Sequence, residues 1–219
     1  MSGTRLGRAR LNTALTGDEI DLASAGHGMA KPVRQAPITY ALLAALACSI
    51  ALASFVAAPG ASGLFGGALG VLMLAIAVAD ARAFIIPDKL TVAAFLLALT
   101  KAANEGLGSL PENIAVAVLR GLVLAFAFFA LREIYVRLRH RHGIGLGDVK
   151  LAAVAGAWLD WTLIPVAIEI AALTALIFYL ASRLILRRPL CAAAKLPFGL
   201  YFAPAIWFCW LFNAMFLEF

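Results

Sequence analysis

Long apolar runs recur along this chain and restrict its fold more than any other feature of the sequence. The first run, residues 38–58, holds 21 residues without a charged side chain, which is long enough to cross a bilayer as a helix. Hydrophobic residues make up 63% of the chain and charged residues 14%, against about 45–50% and 25% in soluble domains. A single soluble core could not bury that much apolar surface. The sequence therefore predicts an all-α, polytopic transmembrane helical bundle.

Six more apolar segments follow the first, so the bundle is predicted to have about six to seven membrane segments. The shortest, residues 149–159, is about 16 Å of helix and crosses only where the bilayer thins or neighbouring helices shield it. The other five are residues 64–79, 90–103, 113–135, 161–186 and 197–217. Residues 1–36 hold eight charged side chains. We therefore divide the chain into a polar tail, residues 1–36, and a transmembrane domain, residues 37–219.

Basic residues predict the orientation of these segments. Of the 18 Lys and Arg residues, 16 lie in the tail or in residues 80–89, 132–150 and 183–195, which share one side of the membrane if every segment crosses. Basic loops usually stay in the cytoplasm, so we predict a cytoplasmic N-terminus and a C-terminus on the outer side. The net charge of +6 thus reflects membrane orientation rather than nucleic-acid binding.

Two acidic residues reach the same predicted membrane boundary. Asp80 lies at the inner end of the second segment and Asp148 at the inner start of the fifth. Ionisable groups near a bilayer are costly and often mark a functional site, although a single boundary carboxylate can simply face water. Asp80 also ends a helix, where the helix dipole disfavours a negative charge. These two aspartates are therefore the candidate functional residues.

The residues around the two aspartates point to specific local roles. Gly145 and Gly147 both precede Asp148, and they allow another backbone to approach closely. Lys150 either biases the charge of the two acids or contacts lipid phosphate. Asp88 follows a proline and precedes a helix, so its carboxylate is expected to cap the first N–H groups of that helix.

The order of these residues resembles the prepilin peptidases, which are GxGD-type membrane aspartic peptidases. The resemblance covers about residues 64–210 and rests on two motifs, Asp80-x6-Pro87-Asp88-x2-Thr91 and Gly145-x-Gly147-Asp148-x-Lys150. A third family signature, Pro-Phe-Gly-Pro, reads Pro197-Phe198-Gly199-Leu200 here. We expect the change from proline to Leu200 to alter the entry to the last helix.

The resemblance implies a multi-pass enzyme of the bacterial inner membrane whose C-terminus is periplasmic. Its substrates would be type IV prepilins or type II secretion pseudopilins, from which it would remove the short basic leader. It implies Asp80 and Asp148 as the catalytic pair, with the other motif residues in supporting roles and no cofactor. The three cysteines form no C-x-x-C pair, so we expect no metal site and no N-methylation of the product.

Two carboxylates and a water molecule can hydrolyse an amide without a metal. One carboxylate takes a proton from water and the other donates one to the substrate, and close like charges favour sharing a single proton. Gly145 and Gly147 would let a substrate strand lie near Asp148. The alternatives are a proton-coupled transporter that uses the same aspartates, a presenilin-like intramembrane peptidase and a lipid-binding membrane scaffold.

Two charged residues inside the apolar segments have no role in this candidate site. Arg120 lies eight residues after Glu112 and Glu169 eight residues after Trp161, so each is about 12 Å below the outer face. An unpaired charge at that depth costs at least about 2.5–3.5 kcal/mol. We therefore predict a structural ion pair between Arg120 and Glu169, apart from the two aspartates.

Overall fold

The computed structural model describes residues 37–104, 110–139, 145–186 and 197–216. These residues form seven helices and no strand, which confirms the predicted all-α fold. The helices are α1 (Pro37–Ala57), α2 (Ala61–Ala83), α3 (Asp88–Asn104), α4 (Leu110–Arg139), α5 (Leu146–Trp158), α6 (Leu163–Leu186) and α7 (Phe198–Phe216). The predicted polar tail lies outside the described residues.

Five of the helices in the described part of the chain are long and apolar enough to cross a membrane, namely α1, α2, α4, α6 and α7. This confirms a multi-pass membrane protein. The other two, α3 and α5, have 17 and 13 residues. At 13 residues, α5 is about 20 Å long, which is shorter than the ~30 Å hydrocarbon core. The inward or outward orientation of the chain stays a prediction.

The chain divides into two compact units, Met1–Ala41 and Leu42–Phe219. In the first unit only the start of α1 is described. The second unit contains the rest of α1 and the six helices that follow. The division after residue 36 stays a prediction.

Glycines let several helices of the second unit pack backbone to backbone. A Cβ atom on Gly156 of α5 would lie 2.5 Å from the carbonyl oxygen of Arg120 and 2.9 Å from Cα of Gly121, both in α4. A Cβ atom on Gly66 of α2 would overlap the ring of Trp210 in α7 at 1.8 Å. Since no other side chain fits at these contacts, the glycines determine how closely α5 approaches α4 and α2 approaches α7.

The short helix α5 is enclosed by other helices. It contacts α3, α4 and α7, and Leu151, Ala152 and Val154 are among its fully buried residues. A helix surrounded by protein is apolar on every side. This explains how an apolar segment too short to span a bilayer is accommodated, and why it lacks the polar face of a surface helix.

Arg120 forms its ion pair with Asp160 and not with Glu169. Its guanidinium donates a hydrogen bond to the carboxylate of Asp160, whereas Glu169 is exposed on α6. The close contact of Gly156 with Arg120 brings the end of α5 beside the guanidinium, and Asp160 follows shortly after that end. The prediction compared depths within the apolar segments only, and so it overlooked an acid in the connection between α5 and α6.

Candidate active site

Asp80 is a buried carboxylate held by the start of another helix. It lies in the last turn of α2 with 5% of its surface exposed, and its Oδ2 accepts a hydrogen bond from the N–H of Leu200 at 2.9 Å. The first N–H groups of a helix have no partner within that helix, and the positive end of the dipole favours an anion. The start of α7 therefore compensates for the unfavourable position of Asp80 at the end of α2.

Asp148 is held by its own helix. It is the third residue of α5 and half-buried, and its Oδ2 accepts a hydrogen bond from the N–H of Gly145 at 3.1 Å. An acid in the first turn that reaches back to the preceding N–H is a common way to close a helix N-terminus. The spacing of Gly145 and Asp148 in the second motif is thus that of a local helix cap.

Ile86 connects the two aspartate motifs. It is 6% exposed and lies in the connection between α2 and α3. A Cβ atom on Gly147 would come within 3.0 Å of the Cβ of Ile86, and one on Gly199 would lie 2.8 Å from its Cδ1 and 2.9 Å from Oδ2 of Asp80. Ile86 is therefore inserted between the starts of α5 and α7, next to both aspartate-bearing segments.

This position of Ile86 changes the role of Gly147. We expected Gly147 to leave room for a substrate strand, but Ile86 occupies that side of the residue. The absence of a side chain at Gly147 serves the packing of the α2–α3 connection against α5. Gly145 differs in being exposed, so it keeps an open side next to Asp148.

Lys150 joins the two motifs through a direct ion pair. Its Nζ donates a hydrogen bond to Oδ1 of Asp88 at 2.6 Å, and both side chains are exposed. Thr91 is buried and donates its hydroxyl to the backbone oxygen of Asp88 at 2.9 Å, while the carbonyl of Pro87 accepts the N–H of Thr91 at 3.3 Å. We expected Asp88 to cap α3 and Lys150 to contact the aspartates or lipid. The structure instead pairs them with each other.

Sequence reasoning missed Ile86 and Leu200. A buried isoleucine in an apolar chain carries no distinguishing pattern, and a main-chain N–H is present at every residue except proline. The one usable signal was the departure from the Pro-Phe-Gly-Pro signature at Leu200, because a proline there would have no N–H to donate.

The site can perform acid–base chemistry with carboxylates. Burial raises the pKa of Asp148 to about 6, while the N–H of Gly145 lowers it and the negative charge of Asp80 raises it again. A carboxyl group with a pKa near neutrality can both hold and release a proton under physiological conditions. Among the residues that the structure describes, no three His, Cys, Asp or Glu side chains are grouped so that they could hold a metal ion.

The raised pKa predicts a pH-dependent cost of Asp148 to stability. Between its ordinary value of 3.8 and about 6 the folded protein binds the proton more tightly than the unfolded chain, so the free energy of unfolding falls as pH rises through this window. We expect Asp148→Asn to remove that cost, which for a half-buried group is about 1–2 kcal/mol. At pH 7.5 its melting temperature should exceed that of the wild type by about 2–8 °C.

This shift is measured by following intrinsic tryptophan fluorescence of detergent-purified protein during heating, from pH 4 to pH 8. The difference in melting temperature should shrink towards pH 4, where the Asp148 side chain of the folded wild type is protonated and as neutral as asparagine. Asp88→Asn, which alters an exposed ion pair, is the control and should not be stabilised. Equal melting temperatures of Asp148→Asn and the wild type at pH 7.5 would contradict the prediction.

The chain is similar in sequence to a known protein family and to several curated proteins. The type IV leader peptidase family matches residues 67–180 of the chain, a stretch that contains both aspartates. The prepilin leader peptidase/N-methyltransferase of Escherichia coli (strain K12) is 33% identical over 161 residues, which cover 72% of this chain and 66% of that protein. The protein of the same name from Aeromonas hydrophila is 30% identical over 182 residues, covering 82% of this chain and 61% of its own length.

A third protein of this name, from Klebsiella pneumoniae, is 31% identical over 114 residues, or 52% of this chain and 48% of its own. The chain thus spans about half to two thirds of the length of the curated relatives it matches. No solved structure matches it. With more than half of its residues matched and both aspartates inside the match, the chain belongs to the type IV leader peptidase family.

Proposed function

We propose that this chain is a membrane aspartic endopeptidase that removes the basic leader from type IV prepilins or type II secretion pseudopilins. The observation that carries the proposal is that Asp80 and Asp148, 68 positions apart in the sequence, lie close enough for the charge of Asp80 to raise the pKa of Asp148. Ile86 packs against Gly147, the neighbour of Asp148, and against Gly199, which contacts Asp80. Each carboxylate is oriented by the N–H of a helix start. The names of the relatives support prepilins as the substrate class.

In the proposed reaction Asp80 and Asp148 share one proton between them. The ionised carboxylate takes a proton from a water molecule while the water oxygen bonds to the scissile carbonyl carbon. The protonated carboxyl group donates its proton to the carbonyl oxygen. The proton taken from water then passes to the leaving nitrogen as the C–N bond breaks. At the same time one hydroxyl group of the tetrahedral intermediate returns its proton to the carboxylate that had donated one, so the site regains its initial protonation state.

The location of the site supports cleavage at a membrane boundary. Asp80 lies in the last turn of α2, a helix able to cross a membrane, and Asp148 in the first turn of the enclosed helix α5. A substrate with a polar leader and an apolar helix has its junction at such a boundary. We propose that this boundary is the cytoplasmic side of the bacterial inner membrane, with the bilayer and the prepilin as partners.

Co-expression with a type IV prepilin tests the proposal directly. Leader removal shortens the substrate, which shifts its band on a gel, and mass spectrometry of the product identifies the new N-terminus. A transporter or a scaffold would leave the substrate intact, and a presenilin-like peptidase would cut within the apolar helix. An unchanged substrate, or a cut inside that helix, would refute the proposed function.

We also expect cleavage to continue in the presence of a chelator and without S-adenosylmethionine. Two carboxylates and water suffice for the reaction, and the sequence has no C-x-x-C pair. Purified protein and prepilin are incubated with EDTA, and the product is weighed by mass spectrometry. Loss of cleavage that added zinc restores would overturn the metal-free mechanism. In a parallel incubation with S-adenosylmethionine as methyl donor, a methylated product would show that this chain also has the second activity in its relatives' names.

A further inference from the structure

An N–H group in the first turn of α7 donates its hydrogen bond to a side chain of a different helix, α2. The residue before α7 is Pro197, whose side chain has no polar atom to cap the free N–H groups. The acceptor for Leu200 is instead Oδ2 of Asp80, 120 positions earlier in the chain. Here the residue that caps α7 is also one of the two proposed catalytic acids.

Three contacts restrict the Asp80 carboxylate to one orientation. The N–H of Leu200 engages Oδ2, the Cα of Gly199 packs so closely that an added Cβ would lie 2.9 Å from the same oxygen, and Ile86 fills the space beside Gly199. Asp80 itself is buried. A buried carboxylate held in this way loses most of its freedom to rotate. Leu200 provides the hydrogen bond at 2.9 Å, and the N–H of Gly199 is a second main-chain donor to the same carboxylate.

We propose that the main-chain N–H of Leu200 is a positioning group of the active site, which holds Oδ2 of Asp80 and thereby directs Oδ1 towards the reacting water. This inference rests on the proposed function and adds to it a group that acts through Asp80. Water activation requires the accepting oxygen to be aimed at the water. A hydrogen bond from a neutral donor to a charged acceptor is strong enough to set that aim.

Two changes delete this N–H in different ways. Leu200→Pro removes the donor, and the pyrrolidine ring is tolerated in the first turn of a helix. The second change replaces the amide of residue 200 with an ester, by cell-free translation into nanodiscs with a suppressor tRNA charged with the α-hydroxy acid analogue of leucine. The ester keeps the leucine side chain and removes only the N–H, so it answers the question even if the proline variant fails to fold.

The matched control is the same ester substitution at Leu211, in the interior of α7. It removes one N–H from the helix but does not touch Asp80. Leu200→Ala measures the contribution of the half-buried side chain separately. For each protein, kcat and KM for prepilin cleavage are measured together with the melting temperature.

We expect the ester at residue 200 and Leu200→Pro to lower kcat about 10- to 100-fold, with KM within about twofold of the wild type. The ester at Leu211 should lower the melting temperature and leave kcat unchanged. If the residue 200 ester is folded and keeps the kcat of the wild type, the N–H has no positioning role. That result would leave the proposed function intact, which fails only if the wild type does not cleave or if an aspartate variant still does.

Discussion

Asp80→Asn and Asp148→Asn are each expected to abolish leader removal, with a loss of at least about 10²–10⁴-fold in rate. An amide cannot take a proton from water, and it cannot complete the proton exchange between the two groups. The Asn side chain still has an oxygen that can accept a hydrogen bond from the N–H of Leu200 or Gly145. Both variants should therefore insert and fold. The measurement is prepilin cleavage by gel shift, with size-exclusion elution as the test of folding.

Asp88→Asn is the matched control for this pair. Asp88 belongs to the same motif, but its carboxylate is exposed and pairs with Lys150. An exposed ion pair contributes only about 0–1 kcal/mol, so we expect cleavage to stay within about tenfold of the wild type. Cleavage retained by either Asp80→Asn or Asp148→Asn in folded protein would refute the two-aspartate mechanism.

Gly156→Ala is expected to cause a large loss of stability, because it adds a methyl group at the close contact of α5 with α4. The new Cβ would lie 2.5 Å from the carbonyl oxygen of Arg120, and this neighbour is backbone that cannot turn aside. Overpacking costs about 1–3 kcal/mol, and we expect the upper end here. The melting temperature should fall by on the order of 10 °C. Displacement of α5 should also reduce cleavage, because α5 carries Asp148.

Gly67→Ala makes the same chemical change in α2 at a contact with ordinary spacing. Its Cβ would lie 3.5 Å from the nearest atom, Cα of Ala51, and alanine favours a helix interior over glycine by up to about 1 kcal/mol. This variant should be as stable as the wild type or slightly more stable. If Gly156→Ala and Gly67→Ala melt at the same temperature, the close contact of α5 with α4 is not what holds α5 in place.

The helices could be predicted from the sequence because apolar length is a local property. The ends of the helices were predicted less accurately. The second segment was predicted at residues 64–79, whereas α2 runs from Ala61 to Ala83. Asp80 and Arg82 end the apolar run, but they do not end the helix. The helix ends before Phe84, whose backbone is in the left-handed region with a φ of 53°. The N–H of Phe84 donates the last hydrogen bond of the helix to the backbone oxygen of Asp80.

The two aspartates were singled out as candidates for a similar reason. A carboxylate at the edge of an apolar segment stands out against a chain with few charges, and the motif around it has a specific spacing. The surroundings of each aspartate could not be predicted in the same way. Asp148 accepts a hydrogen bond from the N–H of a residue three positions away, whereas Asp80 accepts one from a residue 120 positions away.

The sequence by itself determined the fold class and the apolar helices, and it singled out the two acids as candidates, since each of these depends on residues that are close together in the chain. Only the tertiary structure decided the partner of each charge. Arg120 binds Asp160 because Gly156 allows α5 to touch α4, and Asp80 faces Leu200 because Gly199 and Ile86 allow α7 to start beside α2. Such partners depend on how closely two backbones approach. That distance is set by packing between segments far apart in the sequence. It therefore cannot be predicted from how deep a residue lies along its own helix.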